Sequence, residues 1–442
     1  MNGPKPERYK LSPSVFYRIY DDTVVVYDTQ AQKVYTFNEI VGDILPCFED
    51  YATVGEAVSR MLEIYEIGDT EEFSADIGQF IAELAGKGLL NSQYKQYERL
   101  DDLEKQVYAQ CAKNGQLCSA TIELTYHCNE RCRHCYIVND RREELSTEKV
   151  KSIIDELAEM HVLNLVFTGG EIFTRPDTFE ILEYAYAKHF VVDILTNGNL
   201  LEGNDFIRLK RIYPRCIHFS LYSHQPEKHD AVTRIKGSFE KTMRAVRACI
   251  SIGIPVNLKT PVFAETMGDV PGIAALANEL GCTVEFSSNI TPKKNGDLTP
   301  LEMEIKTQAD NEAVIGMISG LISAADNEPA REAPPDRNCG AGDNIISINP
   351  YGEVFPCNLM PLCIGNVYEQ TIREIWENSQ KLNWWRKNNR RQLRKGCESC
   401  EIAEKCRYCP GEAMMWTGDP LSKYEAACLT TKAQISQREK SK

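Results

Sequence analysis

Residues 15–37, VFYRIYDDTVVVYDTQAQKVYTF, alternate apolar and polar positions and are rich in β-branched and aromatic side chains. A period of two predicts two or three short strands, because successive side chains on a strand face opposite sides. From residue 38 the period lengthens. NEIVGDILPCFE, TVGEAVSRMLEIYE and EEFSADIGQFIAELAGKGLL space their apolar residues three and four apart, as on one face of a helix. Asn38, Thr53 and Thr70 stand where N-caps are wanted. Residues 8–92 are thus expected to form a small strand–helix module of winged-helix size. The polar stretch 93–118 is expected to be a linking helix.

From residue 121 the rhythm changes. TIELTY (121–126), LNLVFTG (163–169), VVDILTN (191–197), CIHFSLY (216–222), PVNLKTPV (255–262) and TVEFSSN (283–289) are short apolar runs. Helical patterns separate them, among them STEKVKSIIDELAEM, DTFEILEYAYAKH and FEKTMRAVRACISIG. Alternation at this spacing predicts βαβ units and a parallel sheet. Six units predict a partial (β/α)6 barrel over 119–325, an α/β fold with its functional groups at the C-terminal ends of the strands. A helix is expected near 303–325, then a Pro-rich linker at 326–338, then a cysteine-rich domain over 339–435.

Composition narrows the class. The chain has 442 residues, enough for roughly three domains at about 150 residues each. With 43% hydrophobic and 26% charged residues it reads as a soluble globular protein. No uninterrupted apolar stretch reaches the roughly 20 residues that span a bilayer. MNGPKPERYK lacks the apolar core of a signal peptide, so a cytoplasmic protein without membrane association is expected. The net charge of −14 disfavours nucleic-acid partners. One basic run, WWRKNNRRQLRK (384–395), reads as a solvated helix face or a local docking patch.

Seventeen cysteines in a reducing compartment point to metal or catalysis where they cluster. Cys47, Cys111, Cys118, Cys216, Cys249 and Cys282 stand apart and are assigned to packing. Cys128, Cys132 and Cys135 fall within the loop after the first barrel strand, as C-x3-C-x2-C. A structural zinc ion would want four ligands, and His127 or His134 could complete such a set. Three thiolates on a cluster of four irons would instead leave one iron open to a small molecule. In the C-terminal region Cys339 and Cys357 are followed by Cys397, Cys400, Cys406 and Cys409, then by Cys428. Tandem zinc ribbons are the alternative there.

C-x3-C-x2-C at the end of strand one resembles the signature of radical S-adenosylmethionine (SAM) enzymes. That resemblance implies a SAM-binding [4Fe–4S] cluster on Cys128, Cys132 and Cys135, and cleavage of SAM to a 5′-deoxyadenosyl radical. Residues further on are similar to the family's other motifs in the same order. Gly169, Gly170 and Glu171 resemble its G-G-E, with glycines for close backbone approach and a carboxylate suited to a cationic amine. Thr196 and Asn197 resemble ribose-contacting positions, Ser220 and Arg234 the pair that holds the cofactor's carboxylate, and Tyr136 a residue beside the adenine. His218, His224 and His229 flank the fourth strand and are expected to be structural or exposed.

The seven C-terminal cysteines resemble the SPASM extension, which implies two auxiliary [4Fe–4S] clusters and three clusters in all. By this resemblance Cys397, Cys400, Cys406 and Cys428 bind the outer auxiliary cluster, and Cys339, Cys357 and Cys409 the inner one. Cys363 is the expected fourth inner ligand, a site open to substrate the alternative. The x2 spacing in KCRYC departs from the commoner x3 and is similar to peptide thioether maturases of the subtilosin type. Residues 8–92 resemble the RiPP recognition element, which binds the leader of a ribosomal precursor peptide by strand addition. An ordinary winged-helix module with a structural role is the alternative. NCGAGDNIISINPYGEVFPCNL closely resembles sactipeptide and ranthipeptide synthases. Together these imply an enzyme that installs Cys-sulfur-to-carbon thioethers in a precursor peptide, served by an electron donor such as flavodoxin or ferredoxin. A different peptide modification (a carbon–carbon or ether crosslink, an epimer, a formylglycine) and a non-catalytic peptide-binding metalloprotein remain the alternatives.

Overall fold

The computed structural model describes residues 8–49, 52–90, 101–321 and 336–440, with backbone alone for 8, 101–106 and 438. Parts of four expected segments, 91–92, 93–100, 322–325 and 326–335, lie outside the described residues. The chain divides into two compact units. One runs to Val107 and includes His189–Val191; the other holds Tyr108–Lys188 and Val192–Lys442.

In the first unit β1 (Arg8–Tyr9) is followed by the antiparallel sheet β2 (Val15–Tyr20), β3 (Thr23–Asp28) and β4 (Lys33–Asn38), with β3 central. A two-residue turn joins β2 to β3, with Asp21 in the left-handed conformation that Asp tolerates. The short helix α1 (Ile40–Ile44) leads to β5 (Ala52–Thr53), which pairs with β1. Then come α2 (Val54–Ile64) and α3 (Thr70–Gly86). Val24 and Val26 of the central strand pack with Ile44, Phe48, Met61, Ile81 and Leu84 in one core. Thr53 caps α2 through a capping box: the Glu56 amide donates to Thr53 Oγ1 and the Thr53 amide to Glu56 Oε2. The other two caps differ from expectation. Asp69, not Thr70, caps α3, accepting from the amides of Glu71 and Glu72. Asn38 is the last residue of β4, and Glu39 at the start of α1 makes no side-chain cap.

The second unit begins within α4 (Asp101–Asn114) and carries one nine-stranded sheet. Its parallel core is β6 (Ser119–Thr125), β7 (Asn164–Gly169), β8 (Val191–Thr196), β9 (Cys216–Ser220), β10 (Val256–Pro261) and β11 (Thr283–Ser287). These are the six strands read from the sequence, in sequential spatial order, and they form a partial barrel. Helices α5 (Thr147–Glu159), α6 (Thr178–Ala187), α7 (Asp205–Ile212), α8 (Pro226–Thr233), α9 (Ser238–Ser251), α10 (Val270–Leu280) and α11 (Gln308–Leu321) alternate with or follow them. Ile122, Leu124, Leu165, Phe167, Ile217, Phe219 and Leu258 are buried, as residues of a strand covered on both faces must be.

The sheet continues on the far side of β6. There β12 (Ile345–Ile348) pairs parallel to β6, and β13 (Glu353–Phe355) and β14 (Gly365–Asn366) follow antiparallel. Periodicity did not indicate them, because strands of two to four residues hold too few alternations. The tail adds α12 (Ile372–Asn378), α13 (Gln380–Asn388), α14 (Pro410–Thr417) and α15 (Glu425–Lys440). Among the described residues no helix is long and apolar enough to cross a membrane.

The basic run 384–395 is largely a clamp rather than a solvated face. Trp385 is buried and its Nε1 donates to the Ala341 carbonyl at 2.8 Å. Arg386 Nε donates to the Gly342 carbonyl at 2.8 Å, with its guanidinium 4.1 Å from the Trp376 ring centroid. Trp384, Lys387, Gln392, Leu393 and Lys395 are exposed.

Candidate active site

The three-cysteine loop leaves the C-terminal end of β6 just after a register shift between Glu123 and Thr125. Such an irregularity re-aims the residues that follow a strand. Two neighbours then hold the loop's backbone. Arg131 N donates to Thr233 O at 3.0 Å and Arg133 N to Val232 O at 3.1 Å, fastening it to the end of α8. Gly170 N donates to Thr125 O at 2.7 Å and Glu171 N to His127 O at 2.9 Å, fastening it to the end of β7. The paired glycines make that second contact possible. A Cβ on either would lie 2.3 Å from a carbonyl oxygen, of Thr125 for Gly169 and of His127 for Gly170, and Gly169 also has φ +145°.

Behind the loop lies a layer of buried carboxylates and amides. Glu171 is 1% exposed and accepts from Thr196 Oγ1 (2.8 Å), the Asn197 amide (2.7 Å) and the Phe173 amide (3.1 Å). Glu130, between the first two cysteines, accepts from Asn199 Nδ2 at 2.6 Å and from the Cys132 thiol at 3.2 Å. Asn197 Nδ2 donates to Asn129 Oδ1 at 2.8 Å. The ends of β6, β7 and β8 are thereby knitted together. Burial pushes Glu171 up, and burial pushes Glu130 up to about 7. Among the described residues no cation stands beside either carboxylate. Two buried acids lacking a counter-charge fit a ligand that brings its own positive charge, as SAM does.

The thiols sit in front of this layer. Cys128 is exposed and Cys132 and Cys135 half-buried. Burial first, then Glu130 and Cys135, hold the Cys132 thiol well above the usual range, and burial first, then Glu171, Glu130 and Cys135, pushes Cys128 up to about 12. Cys132 Sγ lies 3.8 Å from the Tyr222 hydroxyl, which also hydrogen-bonds Ser220 at the end of β9. Beneath, His134 packs against Tyr222 and Phe263 at centroid distances of 4.8 and 4.9 Å. Burial pulls its pKa down to about 4, so it is a neutral core residue. His229 is likewise buried, pulled down to about 4, and its Nδ1 accepts from the Tyr222 amide. Arg234 ends α8 in the left-handed conformation, with an exposed side chain that makes no hydrogen bond or ion pair among the described residues. Tyr136 O accepts from Lys294 N at 3.0 Å, and its hydroxyl lies 3.5 Å from Asn358 Nδ2, beside Cys357.

The C-terminal cysteines gather in two sets. Cys339, Cys357 and Cys409 form one set: burial first, then Cys357, pushes Cys339 up to about 12, and burial first, then Glu412, Cys357 and Cys339, holds Cys409 well above the usual range. Burial first, then Cys428, Cys406 and Cys400, raises Cys397, and burial first, then Cys406 and Cys400, raises Cys428. Cys363 faces Glu353 and Lys381 rather than either set, and its thiol donates to Gly365 O at 3.4 Å. Among the described residues no three Cys, His, Asp or Glu side chains converge as they would around one metal ion. Ligand roles are therefore carried by these groupings and not by a finished coordination sphere. Both sets suit iron–sulfur clusters, whose iron–sulfur cores are held by Cys thiolates.

Several residues escaped sequence reading. Glu130, Asn129 and Asn199 sit inside or beside the motifs, but their types carry no signature. Lys294 is 171 positions from Glu123, yet its ammonium lies 2.9 Å from that fully buried carboxylate and 3.1 Å from Tyr126 Oη. Neither spacing nor periodicity could have paired them.

Comparison with known proteins agrees with this geometry. Residues 122–277 match the model of the radical SAM superfamily, 339–401 that of an iron–sulfur cluster-binding domain (SPASM), and 23–90 that of coenzyme PQQ synthesis protein D. The chain is 32% identical over 311 residues to the antilisterial bacteriocin subtilosin biosynthesis protein AlbA of Bacillus subtilis, covering 66% of each. It is 30% identical over 329 residues to the mycofactocin maturase MftC of Mycolicibacterium smegmatis, covering 70% of this chain and 82% of that one. In fold it is similar to Streptococcus suis SuiB bound to SAM, with TM-score 0.59 and 14% identity over 95% of this chain and 99% of that one. The matched domains imply SAM and iron–sulfur clusters as cofactors. The chain belongs to the radical SAM enzymes with a SPASM extension, among the peptide maturases.

Proposed function

We propose that this enzyme joins a cysteine sulfur to a carbon of the same ribosomally made precursor peptide. The observation that carries the proposal is the pair of gathered thiol sets, Cys339/Cys357/Cys409 and Cys397/Cys400/Cys406/Cys428, beside a loop with only three thiols. Making a thioether from a C–H and an S–H bond removes two electrons and two protons from the peptide. SAM and its cluster supply a 5′-deoxyadenosyl radical, which takes one hydrogen atom. A second electron acceptor is needed, and two auxiliary clusters, three in the whole enzyme, would give it a seat. Cys128, Cys132 and Cys135 would hold the SAM cluster, with Tyr136, Gly169, Gly170, Glu171, Thr196, Asn197, Ser220 and Arg234 around the cofactor. Arg234, free at the rim, suits a carboxylate. Glu171 already holds Thr196 and Asn197, so it would also shape the pocket wall. Cys363 remains a candidate fourth inner ligand only if its loop turns toward the inner set.

Similarity to AlbA, named for subtilosin biosynthesis, supports a thioether. SuiB has also been solved bound to its precursor peptide SuiA. That structure and the PqqD match support a peptide substrate whose leader binds the N-terminal unit. The edge strands β2 and β4 each offer a row of backbone donors and acceptors for strand addition. Tethering by the leader would raise the local core-peptide concentration to about the millimolar range. Similarity to MftC favours a second reading, a different modification of the peptide.

Mass spectrometry after thiol alkylation separates the two. A precursor treated anaerobically with enzyme, SAM and dithionite should lose two hydrogens and one alkylatable thiol per bond. Modified product with every thiol still reactive would overturn the thioether and favour the second reading.

A further inference from the structure

Arg394 lies within the basic run but faces inward. It is 4% exposed. Its Nε donates to Asn338 Oδ1 at 2.6 Å, next to Cys339 of the inner set. Its Nη1 donates to the Ala403 carbonyl at 3.1 Å, between Cys400 and Cys406 of the outer set. Its guanidinium lies 4.7 Å from the ring centroid of Tyr408, between Cys406 and Cys409. Arg391 supports the same stretch, donating from Nη1 to the Glu404 carbonyl at 3.1 Å.

What is missing is a carboxylate. The half-buried cations Arg215, Lys294 and Arg337 each pair with one, Asp193, Glu123 and Asp343. Among the described residues Arg394 makes no ion pair, and the anionic groups whose charge it feels most are the Cys406 and Cys397 thiolates. An arginine cannot shed its charge, and a buried charge without a partner is strongly unfavourable. Among the described residues, then, the only anionic partners in reach of Arg394 are cysteine sulfurs, which carry that charge when they hold a cluster.

We propose that Arg394 is the counter-charge of the outer auxiliary cluster and sets its reduction potential. The proposal rests on the cluster assignment made above. A cluster with four Cys ligands is anionic and gains one negative charge on reduction. A fixed guanidinium whose charge is felt at Cys406 and Cys397 favours the reduced form and raises the potential. Arg394 is a positioning residue: it touches neither substrate nor SAM, and through Asn338 and Ala403 it also sets the spacing of the two cysteine sets.

The test uses the full chain, reconstituted anaerobically, with Arg394→Lys, Arg394→Gln and Arg394→Met. Redox titration followed by electron paramagnetic resonance reads the outer couple, identified as the signal lost in Cys428→Ala. At the wild-type midpoint the reduced-to-oxidised ratio should fall about tenfold in the Gln and Met variants, about 59 mV for one electron. Arg394→Lys should stay near wild type, and the couple at Cys128, Cys132 and Cys135 should not move. Thermal unfolding of iron-free and loaded protein adds a second readout. Arg394→Met should raise the midpoint without iron, by removing an unpaired charge, and lower it with iron. An unmoved outer couple in loaded Arg394→Met, or an equal loss of stability with and without iron, would overturn the proposal. Wild-type protein that takes up no iron at residues 339–428 would defeat the cluster assignment itself, before any variant is compared.

Discussion

Gly170 and His127 meet backbone to backbone: a Cβ on Gly170 would stand 2.3 Å from the His127 carbonyl oxygen. This contact, not any side chain, seats the first cysteine loop on the end of β7. Gly170→Ala should push the loop away at a cost of about 1–3 kcal/mol. Denaturant unfolding should show that loss, and iron analysis should show the share held by Cys128, Cys132 and Cys135 falling with it.

Glu171 accepts three hydrogen bonds from the ends of β7 and β8. Glu171→Gln keeps the volume but turns one acceptor into a donor facing donors. SAM affinity, measured by anaerobic equilibrium dialysis, should weaken tenfold or more. Unchanged affinity would remove Glu171 from the cofactor site.

Replacing Cys128, Cys132 and Cys135 together by Ala should abolish release of 5′-deoxyadenosine with dithionite. Iron at the C-terminal sets should survive. Chromatography of the nucleoside and iron counting check the two halves separately.

Lys294 and Glu123 form a buried ion pair at 2.9 Å. Lys294→Met leaves the fully buried carboxylate uncompensated and should destabilise by about 3–5 kcal/mol. Adding Glu123→Gln should recover much of that loss. A double variant as unstable as the single one would show that packing, rather than charge, dominates there.

Glu304 is raised to about 7, by burial first and then by Glu412 and Glu425 against the opposing Lys306. A carboxyl raised in the folded state binds more protons there than in the unfolded chain. Its contribution is therefore lost as pH rises from the unfolded value, about 4.3, through 7. The iron-free protein should lose stability across that window. Glu304→Gln should flatten that part of the profile, which a series of melting curves reads directly.

Local order was legible in the sequence where one physical rule acts over a few residues. Short apolar runs set between helical patterns marked all six parallel strands, since each face a strand buries must carry apolar side chains at every second position. The Thr53 cap and the three-thiol loop were legible for the same reason: their partners lie within eight positions. The assignment of Thr70 missed by one residue, because adjacent polar side chains at a helix end compete to accept from the same free amides, whereas at the start of α1 no side chain caps at all. Strands β12 to β14 were too short to leave a period, and only their pairing beside β6 makes them strands. Tertiary structure alone brought Cys339 to Cys409 and Lys294 to Glu123, and left Cys363 apart. It also turned Arg394 inward, out of a run whose charge suggested a solvated surface. Contacts between residues tens to hundreds of positions apart are decided by how layers pack, and chain spacing carries no record of that.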